Sequence, residues 1–288
     1  MTIRFVPLSL ALVAALAASQ PSLAASPAKP ADTAQALPAA DAAALDAALK
    51  GDWRDPKNVA RDVYRHPKET LSFFGVSPTK TVVEITPGGG WYSEILAPYL
   101  EADGQYVAAV VDPATVAEKS RNYYQRSVDG LQKKFTEGPA QYGKATTVKY
   151  DPAAPVFGAA GSADVVLTFR NVHNWRSANQ AEGMFKGFFA ALKPGGVLGV
   201  VEHRANQDVA ADDKSGYVSE AQVIALAEAA GFRLDAKSEV NANPKDTKDH
   251  PNGVWTLPPS NNHPEADRAK YQAIGESDRM TLRFVKPR

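Results

Sequence analysis

The sequence predicts a doubly wound α/β domain built on a mostly parallel, seven-stranded sheet. Short apolar or β-branched runs alternate with segments of helical spacing over about 210 residues, the pattern of repeated strand–helix units. Most of these runs stop at a glycine turn or an Asp-Pro pair, the punctuation that ends a strand. The run 163–169 is nearly continuous in apolar residues, as expected of a strand covered on both faces. At 288 residues, 44% hydrophobic and 22% charged, the chain has ordinary globular composition, which excludes collagen-like, coiled-coil and wholly disordered architectures.

Residues 1–24 read as a secretory signal peptide. Arg4 supplies the positive n-region, residues 5–18 the apolar core, and Ser22-Leu23-Ala24 the small-x-small cleavage site. That core, about 14 residues long, falls short of the roughly 20 a spanning helix needs, so the expectation is export, to the periplasm, with no stable membrane insertion after signal cleavage. Residues 25–40 are rich in Ala and Pro without periodicity and are expected to form a flexible leader. The folded domain is expected over 41–288, with a helical N-terminal extension. Asp41 is placed to N-cap a helix ending at Gly51, and 58–64 and 67–74 read as two further helical pieces, Pro67 suiting a first helical position.

The alternation then begins. Residues 81–85 form a β-branched strand that stops at Pro87-Gly88-Gly89-Gly90, and 91–100 resume with helical spacing. A second strand, 105–111, ends at Asp112-Pro113 and is followed by a helix over 114–134. Strands at 146–150, closed by Asp151-Pro152, and at 163–169 come next. A helix over 179–192 stops at Lys193-Pro194-Gly195-Gly196, then come a strand at 197–201, a helix over 219–230 closed by Gly231, and strands at 232–240 and 279–285. Residues 241–277, rich in Pro, Asn, Asp and Lys, break the pattern; a loop this long is either a lid or binding loop or a solvated insertion without a role.

Charge and composition narrow the chemistry. The 32 basic and 32 acidic residues cancel, leaving no net field to attract phosphate backbones, so no nucleic-acid partner is expected. Zero cysteines exclude disulfides, iron–sulfur clusters, thiolate zinc sites and thiol nucleophiles. The five histidines show neither HExxH nor HxH spacing, so no metal is expected.

In open α/β sheets ligands bind beyond the carboxyl ends of the strands, so the residues just after each apolar run are the candidates. They are Glu84 to Gly90 after the first, Asp112 after the second and Asp151 after the third, then Arg170, Asn171 and His173 after the fourth, and Glu202, His203 and Arg204 after the fifth. Gly88 and Gly90 let a backbone approach a ligand with no Cβ in the way. Asp112 is placed to accept hydrogen bonds from a ribose diol.

Taken together, these strings resemble the class I S-adenosylmethionine (SAM)-dependent methyltransferases, which share a Rossmann-like fold. Val83-Glu84-Ile85-Thr86-Pro87-Gly88-Gly89-Gly90 is similar to that family's first motif, and Leu192-Lys193-Pro194-Gly195-Gly196 to the turn before its fifth strand. Arg65-His66-Pro67, Gly88-Gly89-Gly90-Trp91-Tyr92, Asn171-Val172-His173-Asn174-Trp175 and Asn243-Pro244-Lys245-Asp246 resemble an exported bacterial branch of predicted methyltransferases. The resemblance implies SAM as cofactor, with Glu84, Gly88 and Gly90 at its methionine part, Asp112 at the ribose hydroxyls and Asp151 at the adenine edge. Thr86 departs from the pattern, standing where the family's first glycine lies and bringing a β-branched side chain into the tight loop.

Methyl transfer is an in-line displacement, so the protein must chiefly align its reactants and exclude water. His173 and His203 are the candidate general bases, because an imidazole titrates in the useful range. Arg170 and Arg204 are forked donors suited to an anionic acceptor. The expected function is transfer of a methyl group to a small-molecule substrate. The alternatives are a non-catalytic exported module that binds SAM, S-adenosylhomocysteine or another nucleoside-like ligand, and a nicotinamide-dependent oxidoreductase. The last is disfavoured because Ser93 stands where the dinucleotide fingerprint needs its third glycine. Neither the acceptor nor the oligomeric state is encoded in a readable motif.

Overall fold

The structure, a computed structural model, describes residues 37–288 together with Met1 and Thr2; the rest of the segments read from the sequence as signal peptide and leader, residues 3–36, lies outside the described residues. Helices α1 (Ala39–Leu49), α2 (Pro56–Val59), α3 (Asp62–Arg65) and α4 (Pro67–Phe73) precede the sheet. Then follow β1 (Thr81–Ile85), α5 (Ser93–Leu100), β2 (Gln105–Val111), α6 (Glu118–Glu137), α7 (Pro139–Tyr142), β3 (Thr146–Tyr150), β4 (Ala163–Phe169), α8 (Val172–Ser177), α9 (Ala181–Ala191) and β5 (Leu192–His203). The chain ends with α10 (Glu220–Ala229), β6 (Arg233–Ser238), α11 (Arg268–Ile274) and β7 (Arg279–Val285).

The seven strands lie in the order β3-β2-β1-β4-β5-β7-β6, with β7 antiparallel to both of its neighbours and every other pair parallel. This is the mostly parallel, doubly wound sheet that the sequence predicts. Side chains alternate across it: Val82, Ala108 and Leu167 pack on one face with α1, α4 and α5, and Val83, Ala109 and Val166 on the other with α9 and α10. Burial of each valine or leucine among them contributes about 1.5–3 kcal/mol, which is why these runs carry so few polar residues. The order reverses direction between β1 and β4, so their carboxyl ends diverge into a crevice.

Several boundaries differ from the sequence reading, each for a local reason. Helix α1 starts at Ala39 with Pro38 in the cap position, so Asp41 sits in its first turn instead of capping it. Helix α6 starts at Glu118 instead of residue 114, because the Asp112 carboxylate accepts from the Ala114 N–H and holds the chain in a turn. Strand β5 starts at Leu192, which pairs with Ala163 before a register shift, so the Lys-Pro-Gly-Gly turn is absorbed into an irregular strand. Residues 172–177 form a helix, α8, where none was predicted. The long loop 241–277 is not structureless: it carries two short 3-10 turns, Gly253–Thr256 and Glu265–Asp267, and then α11. Among the described residues no helix is long and apolar enough to cross a membrane.

Candidate functional site

A cavity of about 390 Å³ opens at the divergence of β1 and β4. Its floor is the β1 end and the turn after it. Glu84, Thr86, Pro87, Gly88 and Gly89 line it, and Trp91 and Tyr92 close one side. Gly88 has φ +58° and nothing stands within 4 Å of where its Cβ would be, nor of Gly89's, so the two glycines leave an open cradle. Gly90, with φ +79°, is turned away: its N–H donates to the Pro87 carbonyl at 3.0 Å, and a Cβ there would meet Leu131 at 3.1 Å.

Thr86 takes φ +52°, the left-handed conformation that glycine usually supplies, and a β-branched residue pays strain to be there. Its N–H donates to the Ala109 carbonyl at 2.8 Å, and its hydroxyl pairs with the Tyr150 hydroxyl at 2.7 Å. The loop therefore keeps its tight geometry despite the departure from glycine. Arg170, the residue after β4, is also left-handed, at φ +61°, with its N–H donating to the Val201 carbonyl at 2.7 Å. Two strained non-glycine residues thus sit at the ends of adjacent strands, on either side of the crevice.

Glu84 is 2% exposed and accepts from the Tyr106 hydroxyl at 2.6 Å. Burial pushes its carboxyl up to about 7, against the pull of the Tyr106 and Ser93 hydroxyls. Asp112 and Asp151 stand at the ends of β2 and β3, half-buried and outside the cavity lining. Each spends Oδ1 on its own turn, from Ala114 N–H at 3.0 Å and Ala153 N–H at 2.8 Å. The other oxygen of each makes no hydrogen bond among the described residues.

The opposite wall belongs to the ends of β4 and β5. His173, in the first turn of α8, shares Glu202 with the backbone: the Glu202 carboxylate accepts from His173 Nδ1 at 3.0 Å, from the His173 N–H at 3.2 Å and from the His203 N–H at 2.8 Å. A carboxylate only accepts, so the His173 proton lies on Nδ1 and Nε2 is left as a base. His203 stands with its ring centroid 5.3 Å from that of His173, its Nδ1 2.5 Å from the Ser277 hydroxyl. Burial, then the neighbouring His173 and the charges of Arg170, Arg279 and Arg65, hold the His203 imidazole well below its usual range. His173, Glu202 and His203 are the one group among the described residues whose ligand atoms lie within 4.8 Å of one another. Both Glu202 oxygens already serve N–H groups, and the arginines that suppress His203 oppose a second cation, so the cluster suits a neutral base better than a metal ion.

The remaining wall was not legible as a site. Trp255, Pro258, Glu276 and Ser277 from the long loop, and Arg61 and Arg65 from α3 and its cap, all face the cavity. The loop thus forms part of the cavity wall. Trp255 packs edge-on to His173 at 5.9 Å, and Arg65 lies over the Trp91 ring at 4.6 Å. The signals were present but weak: Arg61 and Arg65 are four apart on helical spacing, and Arg279 is a charged residue opening an apolar strand. Arg204, by contrast, pairs with Asp278, Glu220 and Glu239 and does not line the cavity.

No protein family's sequence profile matches the chain, and no curated protein matches it. Solved structures do. The (4+2)-cyclase SpnF is similar at 16% identity over 83% of this chain and 86% of its own, with a TM-score of 0.55. A chain from the complex of the Haloferax volcanii Trm112 methyltransferase activator with its methyltransferase is similar at 15% identity over 85% and 98%, TM-score 0.50. A SAM-dependent methyltransferase from Aquifex aeolicus is 16% identical over 85% and 98%, TM-score 0.49. The chain has the seven-stranded, Rossmann-like α/β fold of class I methyltransferases.

Proposed function

We propose that the protein is a SAM-dependent methyltransferase acting on a small molecule, with the glycine turn of β1 holding the cofactor and His173 serving as general base. The observation that carries this reading is the cavity itself, which joins an open glycine cradle to a carboxylate-oriented imidazole. The residues present fit the cofactor: Gly88 and Gly89 leave the space a Cβ would fill, and Asp112 and Asp151 each keep one carboxylate oxygen uncommitted at a neighbouring strand end.

SAM, when bound, supplies an electrophilic methyl group on a sulfonium. The chain's own residues then have two tasks. Trp91, Tyr92, Phe169 and Trp255 narrow the cavity and exclude water, the first two beside the glycine turn and the last beside His173. His173 takes the proton of the acceptor at Nε2, while Glu202 fixes its tautomer and stabilises the imidazolium that results. Such a base contributes about 10²–10⁴-fold. The proposal extends to export, on the strength of the signal peptide read at residues 1–24, so the methyl donor has to be supplied outside the cytoplasm.

The second reading is an exported module that binds SAM, S-adenosylhomocysteine or a nucleoside-like ligand without methyl transfer. It is favoured by the neighbour named as a cyclase, since the fold does not fix the reaction. Calorimetric titration of the purified protein with SAM, S-adenosylhomocysteine and NADH tests both. Micromolar binding of the first two, and none of NADH, is the expected result. Absence of binding by either SAM compound removes the methyl-transfer reading, and binding without turnover on any acceptor favours the module.

A further inference from the structure

Four arginines meet at one end of the cavity around a single carboxylate. Arg61 caps α3 and Arg65 ends it, Arg170 follows β4, and Arg279 opens β7. Glu276 receives Arg61 Nε at 2.7 Å, Arg65 Nε at 3.3 Å and Arg279 Nη2 at 2.9 Å. Both of its oxygens are used. Burial alone would raise its carboxyl, yet Arg279, Arg65 and Arg61 outweigh burial and hold it at about 2.

One carboxylate does not satisfy four guanidinium groups. Arg61 Nη2 is buried with no partner. The Arg65 side chain is only 3% exposed, and neither of its Nη groups makes a hydrogen bond among the described residues. Arg170, half-buried, makes no side-chain hydrogen bond or ion pair among them at all, and it lines the cavity. Burial, then Arg279 for Arg170 and Arg170 itself for Arg65, pushes both guanidinium groups below their usual range. A guanidinium largely withdrawn from water favours a counter-charge, and its planar fork matches one kind of partner best, an oxyanion that accepts two parallel N–H bonds.

We infer that Arg65 and Arg170 form an oxyanion-binding site, and that the molecule methylated is a small acid whose carboxylate or phosphate group is held there with its nucleophile toward His173. The naming of the anion as methyl acceptor rests on the methyl-transfer reading; the anion site itself rests on the arginines alone. The arginines belong to the acceptor's end of the cavity. Arg170 lies three residues from His173, across the crevice from the glycine cradle, and after burial and His173 itself, Arg170, Arg279 and Arg65 are what His203 feels, its ring standing 5.3 Å from His173. The cofactor's own carboxylate is the competing source of an oxyanion, and the test separates the two.

Benzoate and inorganic phosphate are titrated into the purified protein with and without saturating S-adenosylhomocysteine, and into Arg170→Gln and Arg170→Lys. The Arg170 side chain makes no hydrogen bond or ion pair among the described residues, and thermal unfolding of each variant verifies that it stays folded. The expected result is anion binding to the S-adenosylhomocysteine-loaded protein, weakened at least tenfold by Arg170→Gln and less by Arg170→Lys, with S-adenosylhomocysteine affinity unchanged. Displacement of the anion by S-adenosylhomocysteine but not by 5′-methylthioadenosine, which lacks the carboxylate, would overturn the inference by giving the arginines to the cofactor. Binding of S-adenosylhomocysteine with no anion binding at millimolar concentration overturns it as well, and leaves methyl transfer standing. Anion binding without S-adenosylhomocysteine binding keeps the oxyanion site and removes the methyl-transfer reading instead.

Discussion

The two ends of the cavity are built in different ways. At the β1 end, Glu84, Thr86, Gly88 and Gly89 are consecutive or nearly so, and one strand and its turn place them all. At the histidine end, Arg65, Arg170, His173, His203 and Glu276 come from α3, the β4 exit, α8, β5 and the loop before β7. The first end is a local motif held by backbone conformation. The second is a tertiary assembly held by charge, and it exists only when the whole sheet is in place. A local motif tolerates change in the rest of the fold, whereas a charge assembly fails when any member is lost.

The sharpest test of that division is His173→Ala. It should lower turnover by about 10²–10⁴-fold and leave S-adenosylhomocysteine affinity within about twofold, since the proposed base lies at the assembled end. A fall in both, measured side by side by kinetics and calorimetry, would mean that the two ends are not separate.

Glu276→Gln comes next. Removing the carboxylate leaves its arginines without their anion, and a broken buried pair of this kind costs about 3–5 kcal/mol in urea denaturation. The pH dependence has the same origin. With its carboxyl at about 2 in the fold against an ordinary 4.5, Glu276 contributes stability that is complete above 4.5 and lost as pH falls toward 2. That contribution is about 3 kcal/mol and should vanish from the acid limb of the Glu276→Gln profile. An acid limb identical to that of the unsubstituted chain would assign the arginines another counter-charge.

Asp112→Ala probes the local end. It should weaken S-adenosylhomocysteine binding about 10–100-fold, the worth of a charged hydrogen bond, with little change in melting temperature. Equal affinity would remove Asp112 from the proposed cofactor site. The smallest effect belongs to Thr86→Gly, which relieves roughly 1–2 kcal/mol of left-handed strain and gives up a hydroxyl pair to Tyr150 worth about 1 kcal/mol. Melting temperature should move by no more than a few degrees.

The same division explains what could be read in advance. Strands β1, β2, β3, β4 and β7 begin and end at the residues expected from the sequence, because apolar or β-branched runs bounded by Gly, Pro or Asp leave little freedom in placing them. Glu84, Gly88, Arg170, His173 and His203 line the cavity, since each sits at or just beyond a strand end. Asp112 and Asp151 also stand at strand ends, but strand position alone does not say how far a cavity extends. Arg61, Arg65 and Glu276 carried no such marker. On a helix before the sheet or in a polar loop, an arginine or glutamate has the same pattern as a solvated surface residue, and only the three-dimensional closure of the loop reveals otherwise.

The segment Glu276-Ser277-Asp278-Arg279 has a consequence for the order in which the cavity is assembled. Within four consecutive residues it answers Arg61 across 215 positions of chain, His203 across 74 and Arg204 across 74. Contacts of such sequence separation require large loops to close first, and they form late in folding. The glycine turn can therefore be shaped while β7 is still a free strand, but the paired imidazoles and the arginine cluster cannot. Completion of the histidine end is timed to the docking of the final strand between β5 and β6, so under the proposed function refolding followed by helical signal should run ahead of refolding followed by activity.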